Sequence, residues 1–138
     1  MADRIDLTAL IEAATEAHGR AYAPYSHFHV GAALLGESGQ IYRGCNVENV
    51  SYGLTSCAER NAVFGAVLEG ERSFRAVAVV TGADTPTAPC GACRQVLVEF
   101  ARSGDMEVVL ATLGGARHVT TLSTLLPLSF REFSPTNE

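Results

Sequence analysis

The chain has 138 residues, 47% hydrophobic and 18% charged, with a formal net charge of −5. This length reads as a single domain, residues 1–138, large enough to bury a core without disulfide staples. No window reaches the ~18 uninterrupted apolar residues of a membrane span. The ten basic residues, all arginine, are scattered, which argues against a polynucleotide partner whose phosphates need neutralising. A small neutral or weakly charged substrate fits this balance better.

Leu7, Leu10, Ile11, Ala14 and Ala17 recur at helical spacing with Asp6 able to cap, predicting a helix from about Asp6 to Gly19. This acidic opening is not a basic-then-apolar secretory signal. It points to a cytoplasmic protein whose four cysteines stay reduced and bind metal rather than pair. Ala21 to Ser26 reads as a loop around Pro24. Phe28 to Leu35 and Gln40 to Gly44 flank Gly36-Glu37-Ser38-Gly39 as a β-hairpin. Asn46 to Ser56 lacks a period and reads as loop. Ser56 is a candidate cap for a helix from Cys57 to Glu69. Arg75 to Val80 and Val108 to Ala111 read as buried strands, separated by a helix from about Gly91 to Arg102. Gly114-Gly115 predicts a hairpin into a last strand near Arg117 to Thr121. The order α-β-β-α-β-α-β-β, with parallel middle strands, predicts an α/β protein built as a three-layer α/β/α sandwich.

The chemistry concentrates in two segments, Cys57-Ala58-Glu59 and Pro89-Cys90-Gly91-Ala92-Cys93. Both cysteine groups fall at predicted helix N-termini at the carboxyl edge of the sheet, where ligand sites of open α/β sheets collect. The partial positive charge there favours thiolates. Three thiolates on one Zn²⁺ leave the fourth tetrahedral position open to water, as catalytic zinc sites do. Glu59, beside that position, is placed to move protons. The complex carries net charge −1, and Arg60 and Arg94 are the local candidates to compensate it. Two other readings exist. Cys45 as a fourth ligand would close the site into a structural one, and Cys90 with Cys93 alone resembles a thioredoxin-type pair that leaves Cys57 and Glu59 unexplained. His18, His27, His29 and His118 read as surface or interface residues.

Taken together, the blocks Tyr22 to Phe28, Val30 to Ala33, Gly44 to Asn49, Ser51 to Gly53, Cys57 to Arg60, Pro89 to Gln95 and Leu125 to Pro127 with Phe130 resemble the small homotetrameric cytidine deaminases of pyrimidine salvage. The resemblance covers about residues 20 to 130. It implies a five-stranded mixed sheet, one zinc per subunit on Cys57, Cys90 and Cys93, and Glu59 as the proton carrier. Asn46 and Glu48 are then similar to the pair that binds the sugar 3′-hydroxyl. Phe28 is similar to the aromatic that packs on the pyrimidine, and Ala58 would offer its N–H to the base. Tyr52 and Phe130 resemble residues that reach a neighbouring subunit's site. Ala88 stands where Ser often precedes Pro-Cys, Val50 replaces a commoner Ala, and the tail from Arg131 to Glu138 departs from the family's usual ending. The implied reaction is hydrolytic deamination of cytidine and 2′-deoxycytidine. The weighed alternatives are a modified-nucleoside deaminase of the blasticidin-S type, a polynucleotide editor that the acidic charge disfavours, and a non-catalytic zinc module that Glu59 argues against.

Overall fold

The computed structural model describes residues 4–101 and 104–131. Helix α1 spans Leu7–His18, and Asp6 accepts the Ala9 N–H at 3.0 Å to cap it. Strands β1 (Val30–Gly36) and β2 (Ile41–Cys45) form the expected hairpin. Helix α2 (Ala58–Leu68), β3 (Phe74–Thr81), α3 (Gly91–Glu99), β4 (Glu107–Thr112) and β5 (Arg117–Thr121) follow, and a short α4 (Leu122–Leu125) is the last described element. The sheet order is β2-β1-β3-β4-β5; β3 and β4 are parallel and every other neighbour is antiparallel. A parallel pair needs a crossover, and α3 supplies it. The five-stranded mixed sheet and α/β class are as anticipated.

Alternation along the strands sorts the core onto two faces. Leu34, Val77, Val79, Val108 and Leu110 pack with Val63 of α2 and Leu97 of α3. Ala33, Ala76, Ala78 and Ala111 pack with Leu10 and Ala14 of α1. Small side chains on the α1 face let that helix lie close. Two glycines bring a helix closest to the sheet, Gly31 on the α1 face and Gly44 on the α2 face. A Cβ on Gly31 would lie 2.8 Å from His18 Cα of α1, and one on Gly44 would lie 2.5 Å from Ala62 N and 2.9 Å from Ala62 Cα of α2. Only residues without a side chain fit there.

The boundaries differ from expectation where pairing overrides local pattern. Cys57 rather than Ser56 is the N-cap of α2, because Ser56 is held extended by a two-way backbone bridge with Val47. Helix α3 stops at Glu99 instead of near Arg102, which lies outside the described residues. The Phe100 carbonyl accepts the Phe74 N–H at 2.8 Å, drawing the chain out of the helix to meet β3. The first strand begins at Val30 rather than Phe28, because His27 adopts φ 60 and Ser26 Oγ takes the Phe28 N–H at 3.0 Å. Helix α4 was not anticipated. Thr121 caps it, and Asp105 accepts both the N–H (2.9 Å) and the hydroxyl (2.8 Å) of Ser123.

Candidate active site

Cys57 is the N-cap of α2 and Cys90 the N-cap of α3; Glu59 and Cys93 sit on the first turns that follow. Both helices pack on one face of the sheet, so their positive ends converge. The Cys57 and Cys90 sulfurs are 4.0 Å apart, those of Cys90 and Cys93 3.4 Å, and all three lie within 4.8 Å of one another. Four ligands at about 2.3 Å in a tetrahedron place sulfurs about 3.8 Å apart. The trio fits zinc, and among the described residues no other group of three His, Cys, Asp or Glu lies so close. Cys93 is buried, Cys57 half-buried and Cys90 exposed, so the pocket for an ion is open on one side.

Charge at the site follows from these contacts. The Cys57 thiol is held down to about 5, chiefly by the hydrogen bond from Cys93, with Arg60 helping against the cost of burial. Cys93 is pushed up by that same hydrogen bond and by burial. Arg60 Nη2 lies 3.4 Å from Cys57 Sγ, and its Nε is buried with no hydrogen-bond partner. Glu59 is 4% exposed. Burial pushes its carboxyl up to about 7; the Cys57 charge adds to this, while its own backbone N–H and Arg60 oppose it.

A cavity of about 270 Å³ opens beside the trio. Ser26, Phe28, Val30, Asn46 and Glu48 line one part, Thr55, Cys57, Ala58 and Glu59 another, and Val79, Thr81, Thr87, Ala88 and Cys90 the rest. A larger hollow of about 380 Å³ runs along the edge strand β2, but it contains neither Glu59 nor the zinc cysteines. Volume alone does not choose the site; the titratable groups do. Asn46 orders the start of β1, its Oδ1 accepting from Val30 N at 2.9 Å and its Nδ2 donating one hydrogen to the Phe28 carbonyl at 2.8 Å. Glu48 accepts from Tyr25 N at 2.9 Å, Ser26 N at 3.1 Å and the Ser26 hydroxyl, which holds its carboxyl below the usual range.

Thus Phe28, Asn46, Glu48, Cys57, Ala58, Glu59 and Cys90 share one cavity, with Cys93 and Arg60 bonded to the cluster. Tyr52 and Phe130 do not line it. Tyr52 is 73% exposed and meets Tyr25 edge-on in an adjoining hollow. Phe130 is 69% exposed, its carbonyl accepting from Gln95 Nε2 at 2.8 Å. Arg94 is bonded elsewhere, donating to the Pro89 and Leu125 carbonyls at 2.7 Å each, so it ties α3 to α4. Cys45 pairs in register with Gly31 and therefore faces α1, across the sheet from the trio, where its thiol meets the Arg20 carbonyl at 3.4 Å. His18 and His29 meet edge to face, with ring centroids 5.8 Å apart.

The chain matches the model of the cytidine and deoxycytidylate deaminase zinc-binding region over residues 5–112. The chain belongs to that family. A cytidine deaminase of Sporosarcina psychrophila is 52% identical over 126 residues, 91% of this chain and 92% of its own. The crystal structure of the cytidine deaminase from Burkholderia pseudomallei superposes with a TM-score of 0.85 at 52% identity, covering 91% of this chain and all of that one. The Mycobacterium tuberculosis cytidine deaminase gives 0.80 at 41% identity over 94% and 100%. In this deaminase domain Cys57, Cys90 and Cys93 are the cluster positioned for zinc. Among the described residues no helix is long and apolar enough to cross a membrane. Sequence reasoning gave no role to Ser26, Thr55, Val79, Thr81, Thr87 or Ala88. Thr81 carried a signal, being the residue at the carboxyl end of a buried strand.

Proposed function

We propose that the protein catalyses the zinc-dependent hydrolytic deamination of cytidine and 2′-deoxycytidine to uridine and 2′-deoxyuridine, releasing ammonia. The observation that carries this reading is the buried Glu59 carboxyl, on the helix turn that follows Cys57 and in the same cavity as Cys57 and Cys90. Zinc on the three thiolates would supply the Lewis acidity that makes water an effective nucleophile near neutral pH. Glu59 takes a proton from that water and delivers it to ring N3, which makes C4 electrophilic. The water oxygen bonds to C4 as the C4–N3 double bond becomes single. Glu59 then moves the proton of the resulting C4 hydroxyl to the exocyclic amino group, and the C4–N bond breaks to leave the C4 carbonyl and ammonia. A carboxyl titrating near the working pH serves both as base and as acid.

The other groups bind and balance. Ala58 lies at the start of α2, where backbone N–H groups have no helical partner, and offers its own to the base. Phe28 packs on the pyrimidine face. Asn46 and Glu48, already ordered by their backbone partners, hold the sugar hydroxyl. Arg60 offsets the excess negative charge of three thiolates on a divalent ion. The exposed rings of Tyr52 and Phe130 suit a homotetramer in which each reaches a neighbouring subunit's pocket. A one-domain cytoplasmic enzyme of pyrimidine salvage, with a nucleoside rather than a polynucleotide as partner, fits the acidic charge and scattered arginines. The test is to incubate the purified protein with cytidine and follow ultraviolet absorbance, ammonia and zinc content together. Equimolar loss of cytidine and gain of ammonia, with about one zinc per chain, is expected. Bound zinc without turnover of either nucleoside contradicts the reading.

A further inference from the structure

Two hydroxyls at the cavity wall have no part in the chemistry above. Thr81, the last residue of β3, is fully buried, and Thr87 lies in the β3–α3 loop three residues before Cys90. Their Oγ1 atoms are 3.3 Å apart, and Thr81 Oγ1 accepts the Ala83 N–H at 3.3 Å. Both residues line the cavity. A pair of hydroxyls carries two hydrogens, and the bond between them uses one. Whichever threonine donates, one O–H remains to be met by whatever fills the cavity. Asn46 and Glu48 lie on another part of the wall, where their backbone partners order them for the sugar.

The position of this spare hydrogen relative to a bound base follows from the order of atoms around the ring, and this step rests on the deaminase reading. N3 meets Glu59 on α2, C4 meets the cysteine trio, and N1 carries the sugar toward Asn46 and Glu48. Phe28 occupies a ring face. The remaining edge, C5 and C6, is next to C4 and away from α2. Val79, Thr81, Thr87 and Ala88 are the lining residues that belong to β3 and the loop leading to Cys90, and of these only the two threonines carry a polar side chain.

We propose that the Thr81–Thr87 hydroxyl pair reads the C5 edge of the base and favours a hydrogen-bonding substituent there, so that 5-hydroxymethylcytosine nucleosides are preferred over 5-methylcytosine nucleosides. A 5-hydroxymethyl group accepts the spare hydrogen, whereas a methyl group displaces water from it and leaves it unpaired. One such hydrogen bond is worth about tenfold.

The experiment measures kcat/KM for cytidine, 5-methylcytidine and 5-hydroxymethylcytidine with zinc-loaded protein, comparing wild type with Thr87→Val, Thr87→Ser and Thr81→Val. The 5-hydroxymethyl to 5-methyl ratio is expected to be about ten in wild type, to fall about tenfold in Thr87→Val and to persist in Thr87→Ser. Competitive inhibition by the 5-substituted uridines reads the same preference without turnover. If Thr81→Val fails to fold, the two Thr87 variants decide the matter. A ratio in Thr87→Val equal to that of wild type, with cytidine turnover and zinc intact, overturns the role of the pair and leaves the deaminase reading standing. A wild type that turns over none of the three nucleosides overturns both.

Discussion

Gly44→Ala should damage catalysis through a methyl group that touches no substrate. The added Cβ would lie 2.5 Å from Ala62 N and 2.9 Å from Ala62 Cα, against an ordinary contact of about 3.5 Å. Helix α2 must therefore withdraw from β2 by about 1 Å, and overpacking of this kind costs about 1–3 kcal/mol. The helix begins at Ala58, so Cys57, Ala58 and Glu59 move with it. A misplacement of about 1 Å at reacting groups can cost about a hundredfold in rate. Gly31→Ala is the matched control. It is the tighter of the two, its Cβ meeting the Ala14 carbonyl oxygen and His18 N as well as His18 Cα at 2.8 Å, but it pushes on α1, which carries none of the cavity-lining residues. Denaturant unfolding should show both variants destabilised, Gly31→Ala at least as much as Gly44→Ala. Only Gly44→Ala should lose kcat on cytidine, by 10- to 100-fold per zinc-loaded chain. A Gly44→Ala enzyme within threefold of wild type, or equal losses in the two variants, would refute the reasoning.

Glu71 accepts from the Ser38 hydroxyl at 2.6 Å, the Tyr42 hydroxyl at 2.8 Å and Ser38 N at 3.3 Å, and the Ser38 hydroxyl bond leads in lowering its pKa. A lowered carboxyl contributes stability that is present above its unfolded pKa, about 4.5, and is lost as pH falls through the lower folded value. Glu71→Gln should cost about 1.5–3 kcal/mol at pH 7 and flatten that acid limb in pH-dependent unfolding; an unchanged limb would rule the group out. Cys90→Ala should lose zinc and melt earlier, because the ion ties α2 to α3; full zinc content by metal analysis would remove Cys90 from the ligand set. Glu59 has the opposite sign to Glu71. Its pKa is raised to about 7, so in the metal-free chain its burial penalises stability increasingly as pH rises from about 4.5 through 7. Glu59→Gln should then stabilise that chain at pH 8 by on the order of 2–3 kcal/mol and change little below pH 4.5; a loss of stability at pH 8 would contradict this.

Much of this was legible in the sequence. The helical spacing from Leu7 to Ala17 and the apolar runs at Val77 to Val80 and Val108 to Ala111 are local signals, and they gave the layers and the sheet. The cysteine spacing placed three sulfurs at two helix starts because an N-cap and its following turn are set by near neighbours. What was not legible depends on distant contacts. Ser56 gave up the cap of α2 to Cys57 because Val47 holds it extended. Phe100 left α3 to pair with Phe74. Arg94, next in sequence to Cys93, is bonded to a carbonyl 31 residues away. Four-residue α4 is too short to show a period. Glu48 reads locally as a loop carboxylate, yet it accepts bonds from Tyr25 and Ser26 across more than 20 residues. Thr81 and Thr87 meet only because the β3–α3 loop folds back on the strand that precedes it.

The most direct test of the account is Glu59→Gln measured for zinc content and cytidine turnover in the same preparation. Because Glu59 is placed as the proton carrier and not as a ligand, the variant should hold zinc like wild type while kcat falls by about 10²- to 10⁴-fold. Near-normal turnover, or loss of zinc together with loss of rate, would contradict it.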